Sequence, residues 1–154
     1  MHKNITQIRD LEIIESELKS NMAGVLALCL PGDKLVQVAT PFMYQDKNIY
    51  IFFNSENEVF TNIHFGEYAS FTIIRNEKVK KKADKAFLPT YDFISISING
   101  IIKNVEESKS IEELRQNYIA KYKKTAEGEI DFSELSRIVI IDSEEIQAFE
   151  ETGG

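Results

Sequence analysis

Residues able to do nucleophilic or metal chemistry are few in this sequence. There is one cysteine, Cys29, inside an apolar run, and there are two histidines, His2 and His64, far apart in the chain. No C-x-x-C pair, G-x-S-x-G elbow, G-x-G-x-x-G loop or P-loop occurs. The sequence therefore offers few residues for a nucleophilic catalytic triad. No metal site is predicted, because a set of cysteine and histidine ligands is missing.

Two clusters of charge are the other features with binding potential. The stretch Arg75–Lys85 (RNEKVKKKADK) holds six basic residues against Glu77 and Asp84, whereas the whole chain has a formal net charge of −7. This stretch is interpreted either as a solvated hairpin loop or as a rim that attracts an acidic ligand. The late carboxylates are interpreted as solvating a sheet edge; they are Asp142, Glu144, Glu145, Glu150 and Glu151.

The composition excludes several classes of partner. A pI near 4.9 argues against nucleic acid, because a phosphate backbone needs a basic face. The first residues mix charged and apolar side chains, unlike a signal peptide, and the longest apolar run, Ala23–Leu30, is too short to span a bilayer. We therefore expect a cytoplasmic protein with no membrane or nucleic-acid partner, and a single domain over residues 1–154.

The elements that must position any site begin with a predicted helix over about residues 5–20. Ile8, Leu11, Ile14 and Leu18 recur there at helical spacing, with charged residues between them. The next segment, Gly24–Leu30 (GVLALCL), is apolar throughout, which is typical of a strand buried on both faces.

Five further strands and a second helix are predicted. The strands are Leu35–Tyr44, Asn48–Asn54, Tyr68–Arg75, Asp92–Val105 and Arg137–Asp142. In the fourth of these, isoleucines alternate with serines until Gly100, which predicts a bulge or bend. Ser110 and Glu113 form a capping box that begins the helix, and a short helical turn is expected from Asp131. Six strands joined mostly by short turns make an antiparallel barrel or sandwich with helices outside it.

The order of these elements and several short motifs resemble one known family. The family typically has a strand with the pattern g-v-l-a-t, which Ala23–Leu30 matches. A later family strand ends in p-f-v-y, and the run Thr40–Tyr44 matches it from Pro41 onwards. The motif i-y-f is matched by Ile49–Phe53, and a loop then closes on Asn62 and Ile63. Over roughly residues 5–150 the sequence is similar to the pyridoxamine 5'-phosphate oxidase-like FMN-binding split-barrel superfamily. The resemblance implies a mainly β fold, a six-stranded antiparallel split β-barrel over about residues 23–150 with flanking α-helices.

The resemblance also implies a homodimer that holds FMN in clefts between its subunits. The cofactor-binding residues it implies are Ala39, Thr40, Phe53, Asn54, Ser55, Asn57 and Asn62. The family's asparagine that closes the loop falls on Asn62, although asparagine is equally suited to cap a turn or a helix end.

The sequence departs from the family at the positions that usually hold the cofactor phosphate. The basic residues expected there are replaced by Gln37, Phe42, Glu58 and Val59. A phosphate facing Glu58 loses charge-assisted hydrogen bonds of about 1.5–3 kcal/mol each. Either backbone amides and Asn or Ser donors hold FMN, with Lys80–Lys82 as a substitute charge, or the pocket takes another ligand.

Two functions are consistent with these residues. The first is a flavin-binding oxidoreductase-like protein of unknown substrate, in which the cofactor supplies the redox chemistry. The second is a degenerate split barrel that binds another small ligand, haem or other, or only a second copy of itself, without catalysis. The haem ligand of related split barrels is a histidine in a C-terminal extension, whereas this chain ends without one.

Overall fold

A computed structural model of the chain describes residues 3–53, 56–80, 90–105, 108–124 and 137–153. In that part of the chain a single antiparallel sheet is flanked by three helices. The strands are β1 (Lys3–Gln7), β2 (Ala23–Leu30), β3 (Lys34–Pro41), β4 (Met43–Gln45), β5 (Asn48–Phe53), β6 (Tyr68–Lys80), β7 (Thr90–Asn104) and β8 (Arg137–Gly153). The helices are α1 (Leu11–Ser20), α2 (Glu58–Thr61) and α3 (Ser108–Lys123).

The sheet closes on itself as a barrel. Its strand order is β3-β2-β6-β7-β8-β5-β4, with β1 added beside β8. The two ends of this order, β3 and β4, are consecutive stretches of chain separated only by Phe42. The two edge strands of the sheet are therefore held next to each other by the chain. The sheet must curve until these two edges meet. The mainly β, antiparallel class expected from the sequence is confirmed.

Two expectations about the elements were wrong. The described residues form eight strands, not six, because residues 3–7 pair with β8 and because the expected strand Leu35–Tyr44 divides after Pro41. Proline lacks the N–H that would continue a ladder, so the pairing partner changes there. The first helix begins at Leu11, not near residue 5, since the Asp10 carboxylate accepts a 3.0 Å hydrogen bond from the Glu12 N–H and caps it.

Gly100 marks a bulge, as expected. Asn99 of β7 faces Glu145 of β8, but Gly100 faces Ser143, so Glu144 is an extra residue on β8. A Cβ atom placed on Gly100 would lie 2.1 Å from the carbonyl oxygen of Asp142. Only glycine allows the two backbones to approach this closely.

The barrel interior is the main hydrophobic core, and α3 covers a second one outside. Inward side chains such as Leu26, Phe71 and Ile98 are fully buried, and Leu18 of α1 packs with them. On the outer side of β4 and β5, a separate cluster contains residues of those strands and of α3. No helix in the described segments is long and apolar enough to cross a bilayer.

Candidate functional site

The structure separates the two residues expected to contribute from β3. Ala39 is exposed on the outer side of the strand, whereas Thr40 is buried and its hydroxyl donates a 3.1 Å hydrogen bond to the Pro41 carbonyl. This is the ordinary alternation of a strand, in which successive side chains point to opposite faces. Of the pair, Ala39 is therefore the one available to a ligand on the outside of the barrel.

The expected binding loop after β5 is built around the short helix α2. Phe53 is buried and stacks on Phe60 with ring centroids 4.9 Å apart. Asn57 is the N-cap, and its Oδ1 accepts hydrogen bonds from the backbone N–H groups of Val59 and Phe60 at 3.1 and 3.2 Å. Those two amides are therefore already used within the chain. Asn54 and Ser55, also expected in the site, lie outside the described residues.

Asn62 occupies the C-terminal cap of α2. Its Nδ2 donates a 2.8 Å hydrogen bond to the carbonyl oxygen of Glu58. This arrangement matches the capping role that the sequence left open for this residue.

The usual phosphate positions offer no positive charge. Glu58 lies in the first turn of α2 beside Val59, and residues 56–67 contain no lysine or arginine. Phe42 is fully buried, with its ring centroid 4.7 Å from that of Phe71, and Gln37 is exposed on β3. The described part of this region therefore suits a neutral group better than a phosphate. Of the substitute charge expected from Lys80–Lys82, Lys81 and Lys82 lie outside the described segments.

An uncharged face covers the outside of the neighbouring strands β3, β2, β6 and β7, and we call it the outer face. Two rows of laterally paired residues define it. The first row is Ala39, Val25, Thr72 and Ser97, and the second is Gln37, Ala27, Ser70 and Asn99. These eight side chains carry no charge and most are small, in a chain of which 28% of residues are charged. The Thr72 and Ser97 hydroxyls lie 3.1 Å apart and are hydrogen-bonded.

The outer face carries two adjacent shallow cavities. One, of about 520 Å³, is lined by residues including Gly24, Val25, Ala39 and Thr72. The other, of about 420 Å³, lies beside Cys29, Leu35 and Tyr68. Both volumes are within the range of ligand pockets.

Large apolar side chains around these cavities are solvent-accessible in the single chain. Val25 is 40% exposed, Ile74 51%, Tyr68 67% and Leu35 83%. The prediction that β2 is buried on both faces is therefore wrong for the single chain, because its outer side chains have no described layer above them. The arrangement can present a flat, neutral, partly apolar surface to a planar ring or to another protein.

The described residues show no metal site, and the Tyr68 hydroxyl beside the outer face donates a 3.0 Å hydrogen bond to the Glu144 carboxylate. Among the described residues there is no group of three His, Cys, Asp or Glu side chains that could hold a metal ion. Cys29 is the one titratable residue of the apolar segment 24–30. Apart from the Cys29 thiol, redox chemistry at this face requires a bound cofactor.

Comparison with known proteins confirms the fold. No protein-family model and no curated protein matches the sequence. Among solved structures, an FAD-binding protein from Mesorhizobium loti is 13% identical, with a TM-score of 0.67 over 99% of this chain and 100% of that one. A putative pyridoxamine 5'-phosphate oxidase from Corynebacterium glutamicum is 18% identical, with a TM-score of 0.60 over 100% and 98% of the two chains. The FAD and Heme binding protein from Mycobacterium smegmatis is 13% identical, with a TM-score of 0.67 over 94% and 71%.

These likenesses establish that the chain has the split-barrel fold of flavin-binding and pyridoxamine 5'-phosphate oxidase-like proteins. The resemblance stated from the sequence motifs is thus confirmed at the level of the fold. Sequence reasoning did not find the outer face. Its signal was the alternation of Ala23, Val25, Ala27 and Cys29 in β2, where every outward residue is small or apolar.

Proposed function

We propose that this protein binds a flavin whose ring lies on the outer face, between two copies of the chain. The observation that supports the proposal is the uncharged, partly apolar character of the outer face. This face is an uncharged surface on strand β2, whose opposite side is the barrel core. A second copy seated there would bury β2 on both sides, as its unbroken apolar sequence favours.

The outer face suits a planar heterocycle better than a flexible or charged ligand. Ala27 and Ala39 have short side chains, so a ring can approach the strands closely without displacing them. Thr72, Ser97 and Asn99 supply hydroxyl and amide groups that can both donate and accept hydrogen bonds at a ring edge. Several structures with the same fold are named as FAD-binding proteins. A bound flavin would supply redox chemistry, making the protein an oxidoreductase.

The absence of charge on the eight outer-face residues also favours association of two copies. A chain with net charge −7 repels itself at most contacts, but the two rows of this face contain no carboxylate. Exposed Leu35 and Tyr68 would lose water on contact, and apolar burial is the main driving force for association. We expect a homodimer that buries about 2,000 Å² or more in total.

The phosphate of FMN fits the described residues poorly. The amides of Val59 and Phe60 already donate to Asn57, and Glu58 would repel a phosphate. Recognition should therefore rest mainly on the ring. Riboflavin, which lacks the phosphate, should bind within about tenfold of the FMN affinity, a difference below about 1.4 kcal/mol.

The test is a titration of the purified protein with FMN and with riboflavin, followed by the visible absorption and fluorescence of the flavin. Saturable uptake of both supports the proposal. If FMN binds more than about a hundredfold tighter than riboflavin, the ring is not the main determinant. Light scattering at micromolar protein concentration should give the mass of two chains, and a monomer would contradict the shared site.

A second function is favoured because the Asn57 and Asn62 side chains already form hydrogen bonds that cap α2. If Asn57, Asn62 and Glu58 have lost their role toward the phosphate, the chain could be a split barrel that dimerises without a flavin or holds another small neutral ligand. A dimer that takes up neither FMN nor riboflavin would support this second function and refute the first.

A further inference from the structure

A third cavity lies away from the outer face, between α1, the turn that joins β4 to β5, and α3. Its volume is about 750 Å³. It shares no lining residue with either outer-face cavity. We call it the lysine cleft, because four lysines line it: Lys19, Lys47, Lys121 and Lys124.

The lysine cleft is locally positive in an acidic protein. Its four lysines face two carboxylates, Glu15 and Asp46, which leaves an excess of two positive charges. Glu15 lies one helical turn before Lys19 on α1, a spacing at which opposite charges interact, and Asp46 and Lys47 are consecutive in the turn between β4 and β5. The other two lysines are Lys121, near the end of α3, and Lys124, directly after it.

Lys121 is the most deeply placed of these cations. Its Nζ donates a 2.8 Å hydrogen bond to the carbonyl oxygen of Phe42 and lies 4.0 Å from the centroid of the Phe42 ring. Within the described residues no carboxylate forms an ion pair with it. Burial lowers the pKa of the Lys121 amine to about 8. The titratable groups that face it across the cleft and on its own helix are Glu15, Lys19, Tyr44, Asp46, Lys47, Tyr122 and Lys124.

Besides the charged residues and Tyr44, the lining is apolar or amide. Met22, Met43 and Ala120 supply an apolar wall, and Asn117 supplies an amide that donates a 2.8 Å hydrogen bond to Gln45. A half-buried ammonium without a carboxylate partner is stabilised when an anion enters beside it. The apolar wall would meet an uncharged body attached to that anion.

We propose that the lysine cleft binds a small phosphate monoester with an apolar body, and that Lys121 and Lys124 hold its phosphate. Lysine ammonium groups bind phosphate as point charges, with three rotatable donors each. The excess of two positive charges also equals the charge of a phosphate monoester near neutral pH, about −1.5 to −2.

A purely structural role for these lysines is the competing explanation. Cations near a helix C-terminus offset the helix dipole, and Lys121 also ties α3 to Phe42. A substitution of Lys123 distinguishes the binding role from the structural role. Lys123 is exposed, lies in the same helical turn and carries the same charge, but it does not line the cleft.

The experiment is a calorimetric titration of the full chain with phenyl phosphate, using the wild type, Lys121→Gln and Lys123→Gln. Glutamine at 121 keeps a hydrogen-bond donor for the Phe42 carbonyl but removes the charge. We expect Lys121→Gln to lose at least about tenfold in affinity and Lys123→Gln less than about twofold. Equal losses in the two variants, or no binding by the wild type, would overturn the proposal. Benzoate binding more tightly than phenyl phosphate would overturn the ligand class.

Acylation of the wild-type protein provides a readout that does not depend on the folding of a variant. Acetic anhydride acetylates accessible neutral amines, and mass spectrometry reports the rate at each lysine. Phenyl phosphate should slow labelling of Lys121 several-fold and leave Lys123 unchanged. Equal labelling of Lys121 with and without phenyl phosphate would contradict the site, and so would equal protection of both residues.

Discussion

Replacing Gly100 with alanine should destabilise the protein strongly. The new Cβ would lie 2.1 Å from the Asp142 carbonyl oxygen and 2.8 Å from its carbonyl carbon. Both are backbone atoms of β8, so they cannot turn aside as a side chain does. To restore an ordinary contact, β7 and β8 would have to separate by about 1 Å at the bulge, which is enough to break hydrogen bonds of a normal 2.7–3.2 Å length.

The magnitude follows from the contacts that such a separation disturbs. Overpacking costs about 1–3 kcal/mol, and two lost ladder hydrogen bonds add about 0.5–1.5 kcal/mol each. Alanine restricts the unfolded chain more than glycine does, and this effect stabilises the folded state by up to about 1 kcal/mol. We expect a net loss near 3 kcal/mol in the free energy of unfolding, or a fall in melting temperature of roughly 6–12 °C for a chain of this length.

The measurement is urea unfolding followed by circular dichroism at one protein concentration, with Gly153→Ala as the matched control. A Cβ on Gly153 also enters occupied space, but the atoms it meets, at 2.4–2.5 Å, belong to the Tyr91 ring, which can rotate. Gly153→Ala should therefore cost less than about 1 kcal/mol. A Gly100→Ala protein as stable as the Gly153→Ala protein would refute the close approach of β7 and β8.

Four further predictions concern single residues. Tyr122→Phe should cost about 1–3 kcal/mol in urea unfolding, because its hydroxyl accepts a 2.9 Å hydrogen bond from the buried Phe42 N–H and lies 2.6 Å from the Met22 carbonyl oxygen. Tyr44→Phe should cost less than about 1 kcal/mol, because the buried Tyr44 hydroxyl lies near the Glu15 carboxylate and the Lys47 backbone but has no described partner in good hydrogen-bonding geometry; a larger loss would contradict this. Burial, with the Glu15 carboxylate, raises the pKa of Tyr44 to about 12. Asn62→Ala should lower the melting temperature by removing the cap on α2 and leave riboflavin affinity unchanged; a tenfold loss of affinity at constant stability would instead make Asn62 a ligand contact. Finally, between pH 8 and 9.5 the unfolded state keeps the Lys121 proton that the folded state has lost. The free energy of unfolding of the wild type, relative to that of Lys121→Gln, should therefore rise with pH. A constant difference between the two proteins would contradict the lowered pKa of about 8.

The sequence predicted the strands better than it predicted their surroundings. Alternation in β7 correctly placed Ile96 and Ile98 in the core and Gly100 at a bulge, because both signals depend on local backbone geometry. Residues 5–7 were assigned to a helix because a sequence pattern does not show that β8 extends to Gly153 and offers residues 3–7 a pairing partner. Tertiary pairing of this kind overrides local preference.

The site was harder to predict for the same reason. Family motifs pointed to Asn57 and Asn62, but only the three-dimensional structure shows that both side chains are engaged in capping α2. Lys121 could not be distinguished from Lys123 in the sequence, since their burial depends on the packing of α3 against Phe42. The outer face requires the lateral register of four strands, and no single segment of sequence contains that information.

The central claim is that a flavin ring lies on the outer face, and one pair of variants tests it most directly. Ala39→Arg places a long charged side chain at the β3 end of the first row, next to Val25, whereas Ser16→Arg adds the same charge at an exposed position of α1. Riboflavin affinity should fall at least about a hundredfold in Ala39→Arg, near 2.7 kcal/mol, and stay within about twofold of the wild type in Ser16→Arg. If a folded Ala39→Arg protein binds riboflavin as tightly as the wild type does, the ring does not lie on this face.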